Sequence, residues 1–114
     1  MKKILLSALI LGFAASAFAG FQGNSQTANV MTVQQVKKAP DNSIVALQGK
    51  IVQQVGSDDY LFADKTGQIK VEIDNHIWNG LNVTPNDTIR IEGKLDNEIF
   101  DRPDIEVHHV KKVN

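Results

Sequence analysis

The sequence predicts an all-β domain, a five-stranded Greek-key barrel, on three observations. Apolar and polar residues alternate with a period of two in five runs between Ser43 and Val113, the pattern of strands with one face in a core. Turn-forming stretches rich in Gly, Asp, Asn and Pro separate the runs. The first run is long and carries Gly49, and a short helical pattern stands between the third and fourth. A long strand that pairs with two partners needs a bend, and a glycine supplies the place for one.

The chain has 114 residues. Lys2 and Lys3 precede an apolar run over residues 4–15, and Ala17-Phe18-Ala19 follows. This is the pattern of a cleavable secretory signal peptide, with the cut expected between Ala19 and Gly20. A spanning helix needs about 20 apolar residues, more than this run supplies. The chain contains no cysteine, so it offers no lipid-attachment site, disulfide or thiol nucleophile. The expected place of work is outside the cytoplasm. Cleavage removes two lysines and leaves ten basic residues against 13 acidic ones, a net charge of −3. A nucleic-acid binder usually shows a basic excess, and this chain shows the reverse.

Residues 20–31 are rich in Gly, Asn, Gln and Ser and read as a flexible lead-in to one domain over residues 32–114. Thr32 suits an N-cap, and Gln35 three residues later completes a capping-box pattern. Lys37 and Lys38 suit a helix C-terminus, and Pro40 stops the helix. This short helix is expected to lie outside the barrel.

In the first strand Val45, Leu47, Gly49 and Ile51 share one face. Gly56-Ser57-Asp58-Asp59 turns the chain, and Tyr60 and Phe62 alternate with Leu61 and Ala63 in a second strand. Lys65-Thr66-Gly67 turns it again, with Gly67 free to take a positive φ. Ile69, Val71 and Ile73 alternate with Lys70, Glu72 and Asp74 in a third strand. Ile77, Trp78 and Leu81 then follow helical spacing, with Asn75 placed to cap the turn and Gly80 to close it. Trp78 is expected to plug one barrel end. Residues 88–95 give a fourth strand, and Gly93 invites a bend. A polar loop over residues 96–103 holds Ile99 and Phe100. In the fifth strand Ile105, Val107 and His109 are expected inside, with Glu106, His108 and Val110 outside. Three strands, a helix and two strands, in that order, make an OB-fold.

Catalysis finds little support. His108 and His109 are adjacent and point to opposite sides of a strand. His76 has no carboxylate at i+3 or i+4, and no serine sits in a G-x-S-x-G turn. Asp58, Asp59, Asp64 and Asp74 lie near turns, but no D-x-D-x-D-G calcium loop is present. The reading is therefore no catalytic residue, no metal and no cofactor. The outward set on strands two and three carries no aromatic side chain on which a base could stack.

The stretches Tyr60-Leu61-Phe62-Ala63-Asp64-Lys65-Thr66-Gly67, Val71-Glu72-Ile73-Asp74 and Trp78-Asn79-Gly80, with Val83-Thr84-Pro85-Asn86-Asp87, resemble the bacterial OB-fold (BOF) family of small periplasmic stress-tolerance proteins. Gly93, residues 104–107 and the leading Gly20-Phe21-Gln22-Gly23 extend the likeness over nearly all of the mature chain, and the 96–103 loop departs most. The resemblance implies an OB-fold, a periplasmic location and a role in surviving envelope stress such as peroxide, acid, metal or cationic peptides. It carries over no catalytic residue. For relatives it implies peptidoglycan-type glycans, small solutes and membrane signalling partners. The expected function is therefore binding of a small polar, glycan or cationic ligand, such as a peptidoglycan-type glycan. The alternative is docking of an envelope or signalling protein without a small ligand. Neither nucleic acid as partner nor a membrane span after cleavage is expected.

Contacts with a ligand or partner are expected on the outward face of strands one to three, at Gln48, Lys50, Leu61, Lys70, Glu72 and Asp74. OB-folds bind there because flanking loops wall that surface into a groove. Lys50, Lys70 and Glu72 offer donors and acceptors to a polar or zwitterionic ligand. The alternative is a solvated face, since charged strand residues usually face water.

Overall fold

A computed structural model describes residues 29–98 and 102–113. The expected signal peptide, most of the lead-in, and Ile99 and Phe100 of the loop lie outside the described residues. The elements in order are β1 (Val30–Met31), α1 (Val33–Val36), β2 (Ile44–Gln54), β3 (Asp59–Asp64), β4 (Gly67–Glu72), α2 (Asn75–Trp78), β5 (Ile89–Asp96) and β6 (Asp104–Lys112). The neighbours in the sheet are β1-β2-β3-β4-β6-β5, and β2 also pairs with β5, which closes the barrel. Strands β2 to β6 are the five expected ones, so the all-β OB-fold holds.

Strand β2 changes partners at Gly49. Residues 44–49 pair antiparallel with β5, ending at Gly49 opposite Ile89. From Lys50, opposite Ala63, the strand pairs with β3. A Cβ at Gly49 would stand 2.3 Å from the Ala63 carbonyl oxygen and 2.9 Å from the Phe62 ring. Only a residue without a side chain lets β3 cross this closely. The register shift itself falls two residues later, between Ile51 and Gln53.

The alternation fills the barrel as expected. Val45, Leu47, Phe62, Ile69, Val71, Ile73, Ile89, Ile91, Leu95, Ile105 and Val107 form one buried cluster. Tyr60, Ile77 and Trp78 pack against it, partly buried. The inward face excludes polar side chains among the described residues, as an all-hydrophobic core requires.

Three expectations are corrected. In β6, Glu92 faces His109 but Gly93 faces Val107, so His108 is an extra residue on that strand. This bulge reverses the alternation after it. Val110 faces Ile91 and packs on the core, while His109 is exposed. A Cβ at Gly93 would meet the Glu106 carbonyl oxygen at 2.1 Å, so the partner strand runs very close just there. Second, Asp74 rather than Asn75 caps α2, accepting the His76 N–H at 3.2 Å. Asn79 closes this helix at φ 49°, and Gly80 follows at φ 82°.

Third, α1 is outside the barrel ladder but not outside the core. Thr32 and Gln35 form the expected capping box. The Val33 N–H donates to Asp64 Oδ2 at 2.9 Å, and the Gln34 N–H to Thr66 Oγ1 at 3.0 Å. These bonds seat the helix on the β3–β4 turn and press Val33 and Val36 into the core, where both are fully buried. Beyond the helix, the Asn97 side chain donates to the Ala39 carbonyl at 2.9 Å. The α1 segment therefore joins the β3–β4 turn to the start of the 96–103 loop.

Candidate functional site

The outer face of β3, β4 and β6 follows from the registers. Leu61 faces Lys70, and Lys70 faces Asp104 on the parallel strand β6. In the next row Asp59 faces Glu72, and Glu72 faces Glu106. The first row mixes apolar, positive and negative groups. The second is a ladder of three carboxylates, and like charges directly opposite repel.

A groove of about 850 Å³ lies over the first row, lined by Leu61, Gln68, Lys70 and Asp104 from the strands. Lys37, Val55, Asp96, Arg102 and Pro103 wall it. Lys70 Nζ stands 3.7 Å from Asp104 Oδ2. Burial pushes the Asp104 carboxyl above its ordinary range, and Lys70 only partly offsets this while Asp96 and Asp59 add to it. A second, smaller pocket of about 160 Å³ lies beside the carboxylate ladder, lined by Glu72, Asp74, His76, Glu106 and His108 among others. Burial, and then the charges of Asp59, Glu106, Asp104 and Asp58, raise the Glu72 carboxyl. The His76 hydrogen bonds hold Asp74 below its usual value.

The six residues expected from sequence thus divide. Leu61 and Lys70 meet in the groove. Glu72 and Asp74 border the smaller pocket. Gln48 faces Arg90 on β5 and Lys50 faces Ala63 on β3, and both are exposed. Sequence reasoning missed the walls of the groove. Lys37, Asp96, Arg102 and Asp104 come from three separate segments: the β5–β6 pairing sets Asp96 opposite Asp104, the parallel β4–β6 pairing sets Asp104 opposite Lys70, and the seat of α1 adds Lys37.

Trp78 packs partly buried against the core and, with Tyr60 and residues of the 75–83 segment, lines a surface pocket of about 670 Å³. The indole N–H donates to Tyr60 Oη at 3.2 Å, and the rings meet edge to face, 5.5 Å apart at 83°. This satisfies the polar end of a half-buried Trp. His76 Nδ1 lies 3.0 Å from Asp74 Oδ1, and His108 Nε2 lies 3.9 Å from Glu106 Oε1, all on the surface. Among the described residues no three His, Asp or Glu side chains converge on one metal position, and no helix is long and apolar enough to cross a membrane.

Comparison with known proteins agrees with this geometry. The model of the family described as bacterial OB fold (BOF) protein matches residues 12–112. Protein YgiW of Escherichia coli K12 is 40% identical over 106 residues, covering 83% of this chain and 81% of YgiW. The calcium-regulated OB-fold protein CarO of Pseudomonas aeruginosa is 31% identical over 109 residues, covering 96% and 93%. The solved structure of the E. coli YgiW protein superposes with a TM-score of 0.73 at 40% identity, over 84% of this chain and all of that one.

Proposed function

The chain belongs to the bacterial OB fold family, and on that premise we propose that it is a periplasmic, non-enzymatic binding module of envelope stress tolerance. Its ligand is small and polar and carries both charges, as a peptide or a peptide-bearing glycan fragment does. The observation behind this reading is the groove of about 850 Å³, where Lys37, Lys70 and Arg102 stand with Asp96 and Asp104 around Leu61 and Val55. Cations and carboxylates set side by side, with Lys70 3.7 Å from Asp104, next to the apolar Leu61 and Val55 suit a polar ligand that carries both charges. The adjoining ladder of Asp59, Glu72 and Glu106 opposes a polyanion, which supports a role away from nucleic acid. The leader pattern over residues 1–19 supports export.

The test is a thermal-shift titration with muropeptides, the free peptide stem and the peptide-free glycan. A ligand that binds only the native state raises the melting temperature by mass action. Peptide-bearing probes should raise it, and Lys70→Ala with Glu72→Ala should remove the shift while leaving the unliganded melting temperature nearly unchanged. The same double variant should fail to complement a stress-sensitive deletion strain. Full complementation at normal protein level would leave this face without a function. Failed complementation with no thermal shift from any probe would favour the second reading, docking of an envelope protein on this face without a small ligand.

A further inference from the structure

We propose that two copies of this chain pair edge to edge along the second half of β2, residues 50–54, forming a two-fold dimer. The edge is open. Residues 44–49 of β2 are paired with β5 on one side, and that pairing stops at Gly49 opposite Ile89. From Lys50 to Gln54 the strand uses its other side for β3, so no strand covers the side left by β5 among the described residues. Its side chains match this. Val52 is 41% exposed, one of the five large apolar residues exposed among the described residues. An open edge of unpaired backbone with apolar side chains is a template for another strand.

Charge selects a second copy as the occupant. The mature chain is acidic, and its outer face gathers Asp58, Asp59, Glu72, Asp104 and Glu106. Two copies that approach through that face repel. The segment from Lys50 to Ser57 contains no acidic residue and one cation. Antiparallel self-pairing centred on Val52 sets Ile51 against Gln53 and Lys50 against Gln54 of the other copy, and Val52 against itself. No like charges oppose one another, and two valines are covered together. The pairing is isologous, so it closes at two copies and leaves no edge for a fibre. Val52 is itself the extra residue of the register shift between Ile51 and Gln53, and this irregularity at the axis shortens the usable edge and makes the dimer weak.

Analytical ultracentrifugation of the mature protein tests this. The average mass should rise from one chain toward two as concentration reaches about 100 µM, typical of a small interface. Amide exchange at residues 50–54 should slow over the same range. Val52→Lys sets two charges face to face at the axis and should return the protein to a monomer. Ile44→Lys, at a residue 63% exposed on the first half of β2, should leave the dimer intact. A wild-type protein that stays monomeric to about 1 mM overturns the proposal. So does a dimer that survives Val52→Lys, or one that Ile44→Lys abolishes equally. If Val52→Lys melts well below Ile44→Lys, the wild-type exchange decides: amides 50–54 unchanged by concentration refute the pairing.

Discussion

The two halves of β2 are one strand by backbone and two by environment. In the first half Val45, Ala46 and Leu47 are essentially inaccessible, at 1%, 0% and 0%. Ala46 points outward, yet it is covered, because Glu92 stands beside it on one edge and Val30 on the other. In the second half Val52, Gln53 and Gln54 are all exposed, with β3 on one edge alone. Residue type does not explain the contrast, since valine occurs in both halves. Burial in this barrel follows the number of paired edges as much as the identity of the side chain.

Substitutions that break the comparison should scale with it. The largest effect is expected at the joint. Gly49→Val places a side chain against the Ala63 carbonyl and the Phe62 ring, and β3 cannot retreat without unpairing. Stability should fall by about 3 kcal/mol or more, measured as the urea midpoint at constant slope. Next come the halves themselves. Leu47→Ala should cost about 2–5 kcal/mol by leaving a cavity. Val52→Ala should change the monomer by less than about 0.5 kcal/mol. Comparable losses at the two sites would show that the open half is held by contacts other than β3.

The open half leans on β3, so the seat of β3 sharpens the contrast further. Asp64 ends that strand and holds α1 and Thr66. Burial alone would raise its carboxyl, but hydrogen bonds from the Thr66 hydroxyl and from the Val33, Thr66 and Gly67 amides outweigh this and hold it low. Its contribution is therefore present above the unfolded value of about 3.9 and is lost as pH falls through the lower folded value. Asp64→Asn should destabilise by about 1–2 kcal/mol near neutrality, and the deficit should shrink in strong acid in a pH series of thermal melts. The smallest effect is expected at Glu72, whose carboxyl is raised. Its ionised form is disfavoured in the fold, so the cost is present above the folded value and disappears below about 4.3. Glu72→Gln should raise the melting temperature slightly at pH 7 and leave it unchanged near pH 3.5.

Much of this architecture was legible in the chain. The alternation of Ile69, Val71 and Ile73, and of Ile89 and Ile91, reads directly as strands because sheet side chains have a period of two. The Thr32–Gln35 capping box reads directly because both its bonds are local. The β6 bulge was not legible: His108-His109 keeps a plausible alternation in either phase, and only the close approach of Gly93 to Glu106 selects one. The core role of α1 was hidden for a similar reason, since Val33 and Val36 reveal a face but not what covers it. In the groove, Leu61 and Lys70 could be paired from strand patterning. Arg102 and Asp104 could not, because a parallel pairing between β4 and β6 has no local signal in either segment.

The contact between Trp78 and Tyr60 makes the protein its own optical instrument. The sequence has one tryptophan and one tyrosine, and their rings lie 5.5 Å apart across the seam between α2 and β3. Tyrosine emission is therefore passed to the indole in the native state and regained when the seam opens. Intrinsic fluorescence reports on this seam alone, whereas far-ultraviolet circular dichroism reports on the strands of the whole barrel. Coincident melting curves from the two would mean that the helical plug and the barrel open as one unit. An earlier fluorescence transition would mean that the barrel end can uncork while the strands stay paired.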